Sequence, residues 1–198
     1  MGKLGKHEKF AAVTRVLLAI LCTAGVESCS RKVELDPEMQ MIATYTFGES
    51  REPLTVIQDR VRESYGDPEA RLNIERQFAE ILKSETATPD CKDFVCRQLR
   101  LMGTKESVSE LAELLTDETT ADMARYALEL NPDPGAGNAL RNALGKSSGT
   151  VRVGIINSLG ERRDEKSVKT LEELESSTDS EVASAASAAL AKIHAGSR

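Results

Sequence analysis

Four leucines, Leu99, Leu128, Leu159 and Leu190, close apolar helical segments at intervals of 29, 31 and 31 residues. The segments read DFVCRQLRLMG, ADMARYALELN, VRVGIINSLGE and EVASAASAALAKI. A short polar break follows each of the first three, and then a second amphipathic segment: KESVSELAELL, PGAGNALRNALG and EKSVKTLEELE. Corresponding apolar positions recur, as in Leu111, Leu140 and Leu171, while Val108 and Val168 flank Gly137. Two of the breaks nearly repeat each other, LRLMGTKESV at 99–108 and LGERRDEKSV at 159–168, and the stretch between them is a diverged third copy. A helix pair of this size cannot bury its apolar faces alone, whereas stacked copies make one continuous core. The period therefore implies an all-α solenoid of about three and a half helical hairpins over 88–198.

Composition agrees. Hydrophobic residues make up 40% of the chain but aromatics only 4%, with no Trp, and strand-like alternation is lacking. Upstream, Leu54, Ile57, Val61 and Tyr65 form one helical stripe, and Ile74, Phe78, Ile81 and Leu82 form a second. Between them Gly66 ends a helix, Asp67 caps the next, and Pro68 suits its first turn. Residues 51–87 thus read as an N-terminal helix pair. Residues 29–50 read as a tether, or an irregular segment that packs on the first helices. Thr104, Asp133-Pro134 and Asp164 suit the starts of the second helices. In the middle copy Gly135 and Gly137 each cost about 1 kcal/mol of helix propensity relative to Ala. That helix is expected to start late or to follow a longer, bent turn.

The first 28 residues have another character. Lys3, Lys6, Lys9 and Arg15 precede the apolar run Val16–Val26, the layout of a secretory signal peptide. Eleven residues span roughly 16 Å as a helix, about half the hydrocarbon thickness, so a permanent membrane anchor is the weaker alternative. The sequence VESC, ending in Cys29, resembles a lipobox apart from Glu27, which leaves lipidation at Cys29 open beside ordinary cleavage after Ala24 or Ser28. Export to the periplasm or cell envelope follows. Removing residues 1–28 takes away four Lys/Arg and two Asp/Glu, leaving 22 basic and 30 acidic residues and a net charge of −8. Such a surface carries no footprint for nucleic acid, and membrane association is expected only through the N-terminus.

Chemistry-bearing motifs are few. His7 and His194 are the only histidines, too few for a triad or a multi-histidine metal site. GKSSGT at 145–150 lacks the leading part of a phosphate-binding loop and reads as a Schellman-type helix end with a Ser cap for the next helix. Cys91 and Cys96 lie five residues apart on one helix, and ~7.5 Å of rise exceeds the ~7 Å Cα separation a disulfide tolerates. They read as buried small hydrophobes. No catalytic residue, metal site or cofactor is expected.

CRQLRLMGTKESVSELAELLTDE and MARYALELNPDPGAGNALRNALGKSSGTVRVGIINSLGERRDEKSV, with the C-terminal tail, resemble bacterial HEAT repeats, including the phycobilisome-lyase-type HEAT-like group. The resemblance spans roughly residues 67–194. It implies a right-handed HEAT/ARM-type superhelix, with first helices on the convex side and second helices on the concave side, acting as a non-enzymatic protein-binding scaffold or adaptor. The concave surface would then consist of Lys105, Ser109 and Glu113, then Asn138, Arg141 and Asn142, then Lys166, Lys169, Thr170 and Glu173. Arg97, Arg125 and Arg152 recur on first helices. They read as a hydrogen-bond ladder to Asp117 or Asp164, or as a row for an anionic partner; Arg162-Arg163-Asp164 reads as a turn-stabilising cluster. Rival roles are a bilin-lyase-like or chaperone-like activity, betrayed by co-purifying tetrapyrrole absorbance, and a lipid-anchored envelope spacer.

Overall fold

The computed structural model describes residues 33–196. The described residues all belong to one compact unit that begins at Val33. The expected signal segment 1–28, and Cys29 with its lipidation, lie outside the described residues.

Among the described residues there are ten α-helices, two 3-10 turns and no strand. The helices are α1 (Pro37–Ala43), α2 (Glu52–Glu63), α3 (Pro68–Lys83), α4 (Pro89–Met102) and α5 (Val108–Leu114). They continue as α6 (Ala121–Leu130), α7 (Pro134–Leu144), α8 (Gly149–Glu161), α9 (Val168–Leu174) and α10 (Ser180–Gly196). Four of them start alike: Asp36, Thr88, Asp67 and Asp133 each accept a backbone N–H, and a proline follows at once. The side chain satisfies an orphan donor, and proline has none to lose at that position.

Packing sorts the helices into two layers. α2, α4, α6, α8 and α10 each pack on the next, and α3, α5 and α7 do the same on the other side. α3, α5, α7 and α9 also pack on α4, α6, α8 and α10, the first helices of the following hairpins. The periodic leucines are the seam: Leu99, Leu128, Leu159, Leu111, Leu140 and Leu171 are all at most 1% exposed, and Leu190 5%. Each such burial contributes about 1.5–3 kcal/mol relative to exposure. The tightest crossing is α8 on α10, where a Cβ on Gly160 would stand 2.8 Å from the Ala189 Cα.

Several expectations change. Of the segment 29–50, the described part packs on the first helices rather than forming a tether, and it does so through a helix rather than an irregular stretch: α1 packs on α2, α3 and α4, with Met39 and Ile42 fully buried and Tyr45 nearly so. Tyr65 leaves its expected stripe and is 87% exposed, because α2 has already ended and Gly66 turns the chain at φ +93°. The middle copy starts its second helix without delay at Pro134, since Asp133 Oδ1 accepts the Gly135 N–H at 2.7 Å. Gly145 is not a left-handed Schellman residue, as its φ is −69°, and the Ser148 side chain makes no capping bond. Cys91 and Cys96 are buried free thiols, and burial pushes the Cys91 thiol up to about 12 and Cys96 higher still.

Candidate functional surface

The turns joining first to second helices line one edge of the stack and are tied to each other by buried polar groups. In the first echo turn Glu75 reaches from α3. Its carboxylate, 1% exposed, accepts the Thr104 N–H at 2.6 Å, the Thr104 hydroxyl at 2.9 Å and the Ser107 hydroxyl at 2.8 Å. From the other side Asn131, the residue after α6, donates its Nδ2 to the Thr104 carbonyl at 2.9 Å. Gly103 leaves room for that contact, since a Cβ there would sit 3.2 Å from Asn131 Nδ2 and 2.6 Å from the Leu99 carbonyl oxygen.

Arg162 extends the ladder backwards from the second echo turn. Its Nη1 donates to the carbonyls of Leu128 at 2.5 Å and Asn131 at 2.6 Å, filling acceptors that the end of α6 leaves open. Burial pulls this guanidinium below its ordinary value, and nearby Asp164 acts against that. Asp164 makes no capping bond in its own turn, because its Oδ2 pairs with Arg141 of α7. Gly137 lies beneath that pair, where a Cβ would meet Asp164 Oδ2 at 2.5 Å. The middle glycine is thus a clearance residue.

The first-helix layer has its own links. Arg100 of α4 donates to the Tyr126 carbonyl at 2.8 Å and pairs with Glu129 at 3.1 Å, its guanidinium 3.8 Å above the Tyr126 ring. Glu129 also accepts from the Ser158 hydroxyl of α8 at 3.1 Å, and Glu161 pairs with Lys192 at 2.5 Å. Of the expected Arg97, Arg125 and Arg152 ladder, Arg125 does cross to the next hairpin, but its Nη1 donates to the Ser158 hydroxyl at 3.4 Å rather than to Asp117 or Asp164. Arg97 pairs with Asp93 and Arg125 Nε with Asp122 inside their own helices, Asp117 accepts from Thr119, and the buried Arg152 Nε has no hydrogen-bond partner.

The ten candidate partner-binding residues lie on or at the starts of α5, α7 and α9, and nine of them are exposed: Lys105, Ser109, Glu113, Asn138, Asn142, Lys166, Lys169, Thr170 and Glu173. Arg141 is the exception. It is held by Asp164 and by Asn138 Oδ1, so its charge is committed within the stack. Residue spacing alone could not show this, since the acceptor lies 23 positions away.

Sequence reasoning missed a second surface. Among the described residues the large apolar side chains left in solvent are Met41, Phe47, Val56, Tyr65, Leu101, Tyr126 and Leu130, and α3, α5, α7 and α9 contribute none of them. Leu101 and Leu130, 73% and 56% exposed, each follow a buried periodic leucine by two positions on the adjacent helices α4 and α6. The signal was present as a recurring Leu-x-Leu, Leu99-Arg100-Leu101 and Leu128-Glu129-Leu130, whose second leucine the periodic reading left unassigned. Among the described residues no group of three or more His, Cys, Asp or Glu side chains could hold a metal ion, and no helix is long and apolar enough to cross a membrane.

Residues 120–191 match the family model described as HEAT repeats. The matched stretch runs from α6 into α10, two stacked hairpins' worth of the layers described above. Fold and match together support a HEAT-repeat protein, a class whose repeats generally mediate protein–protein interaction. No curated protein and no solved structure matches the chain.

Proposed function

We propose that this is an exported, non-enzymatic HEAT-repeat adaptor that holds a protein partner in the cell envelope, built as a right-handed solenoid of three and a half hairpins behind an N-terminal helix pair. The observation that carries the reading is the stacking of α2–α10 into two layers, which makes extended ridged surfaces. The basic-apolar start of the chain, Lys3 to Val26, supports export, and Cys29 remains the candidate lipid attachment point. Partner contact through the second helices uses Lys105, Ser109, Glu113, Asn138, Asn142, Lys166, Lys169, Thr170 and Glu173.

A second surface is favoured by the exposed apolar row on the first helices. Large apolar side chains grouped in solvent mark interaction sites, and Leu101, Tyr126 and Leu130 lie exposed on the adjacent helices α4 and α6.

Crosslinking capture from envelope extract separates the two faces. Wild-type chain should retain one envelope protein. Lys105→Glu/Lys169→Glu should lose it if the second helices bind, and Leu101→Asp/Leu130→Asp if the first helices bind. Arg141 is left untouched, because reversing its charge would break the Asp164 pair and confuse unfolding with lost binding. If all three forms return only background, the adaptor reading fails.

A further inference from the structure

The N-terminal end of the stack is covered by a segment with features of its own. Asp36, Met39, Ile42 and Tyr45 recur every three residues, and the three apolar members are buried in the core cluster shared with α2, α3 and α4. α1 has only seven residues, too short to persist as a helix away from a docking surface. Its other side is open, with Met41 60% and Phe47 84% exposed. Gly48 behind it turns the chain at φ +100° in open space.

Polar ties sit at the two ends. At the front, Asp36 accepts the Met39 N–H at 3.0 Å and the Gln77 amide at 3.0 Å, and it pairs with Arg60 at 2.6 Å. Burial pushes the Asp36 carboxyl up, but these hydrogen bonds and the Arg60 charge outweigh it and hold the group at about 2. At the back, the Thr88 N–H donates to the Ala43 carbonyl at 3.0 Å and the Phe47 N–H to Asp90 at 2.9 Å. Both ion-pair partners of Arg60, Asp36 and Glu38, come from this segment. Once the segment leaves, the groove keeps an apolar floor and a cation with no partner.

We propose that residues 35–47 are a releasable strap, and that the groove it covers on α2, α3 and α4 takes a segment of a partner protein with the same pattern, an acidic residue capping a short helix and apolar residues three, six and nine positions on, the last beyond the helix end. Arg60 selects the acid, and Gln77 orients it. The strap competes with the partner, so the site opens only when the N-terminal end is drawn away. This site is separate from both faces discussed above and stands or falls independently of them.

Fluorescence anisotropy with a labelled synthetic peptide of residues 33–47 tests the groove in the full chain. Ile42→Asp, which places a charge in the buried face of α1, should bind the peptide at least tenfold more tightly than wild type. Adding Arg60→Glu to that variant should weaken binding at least tenfold. Equal binding to wild type and Ile42→Asp, with the helical circular dichroism and cooperative melt retained, would overturn the proposal. Wild-type hydrogen exchange supplies the check that needs no variant: amides of 39–45 should exchange at least a hundredfold faster than those of α6. Exchange at the same rate as α6 would show that the strap opens only with the whole fold and would sink the idea. Concentration-dependent dimerisation that the peptide reverses would assign the groove to a second copy and overturn the partner reading.

Discussion

The turns 99–108 and 159–168 are near copies in sequence, and both place a 3-10 turn, Lys105–Ser107 or Glu165–Ser167, before their second helix. Ser107 and Ser167 are both fully buried. Yet they are held by opposite strategies. The first turn is a receiver: Glu75 from the hairpin before it and Asn131 from the hairpin after it supply the bonding groups. The second turn is a donor, sending Arg162 back to the carbonyls of 128 and 131 and Asp164 back to Arg141. They also end their first helices differently. At 163 the Asp164 N–H bonds the Leu159 carbonyl and the Arg163 N–H bonds the Gly160 carbonyl, a Schellman arrangement with Arg163 at φ +51°. At 103 the glycine has φ −62°, and its missing Cβ serves clearance. A repeated sequence thus specifies a repeated backbone, while the inter-hairpin bonding is decided by whichever neighbour carries a group long enough to reach.

The comparison can be broken most severely at its receiver end. Glu75→Leu removes the charged acceptor from three hydrogen bonds, worth ~1.5–3 kcal/mol each where shielded from water, and strands the buried Ser107 hydroxyl. A loss of about 3 kcal/mol or more in urea unfolding is expected, and a loss below about 1 kcal/mol would show the first turn to be self-sufficient. Arg162→Ala attacks the donor side. It removes the charged donor from the carbonyls of Leu128 and Asn131 and should cost about 2–3 kcal/mol by the same measurement.

The serines give a closer contrast. Ser107 donates to a carboxylate at 2.8 Å, whereas Ser167 donates to the Asp164 carbonyl at 2.7 Å. Bonds to charged groups are worth ~1.5–3 kcal/mol against ~0.5–1.5 for neutral ones, so Ser107→Ala should lower the melting midpoint by more than Ser167→Ala. Equal shifts would mean that Glu75 contributes packing alone. The smallest effect runs the other way. Arg163→Gly relieves a left-handed residue and should stabilise the chain by about 0.5–1 kcal/mol, whereas the same exchange at a helix interior destabilises. Its guanidinium also approaches the place a Cβ on Gly196 would occupy, so a net loss would reveal that contact as the stronger term.

Repetition of the helix pairs placed the candidate residues on the second helices, and Lys105, Lys166, Lys169 and six others are exposed there. That Arg141 is committed to Asp164, and that Leu101 and Leu130 stand in solvent, did not follow, because helical spacing tells which side of a helix a residue occupies and not whether a neighbour covers it.

What the sequence by itself determined is the part of this protein that repeats. The period near thirty, the Asp67-Pro68 and Asp133-Pro134 helix starts and the buried leucines are local or one-dimensional signals, readable because each is a helical constraint written in adjacent residues. What only the tertiary structure decided are the contacts between copies and at the end of the stack. Asp36 meets Gln77 across 41 positions, Thr104 meets Glu75 across 29, and Asn131 meets Thr104 across 27. Nothing periodic marks such pairs. They exist because folded layers place two particular turns a hydrogen bond apart, and a buried polar group then bonds whichever partner lies within reach.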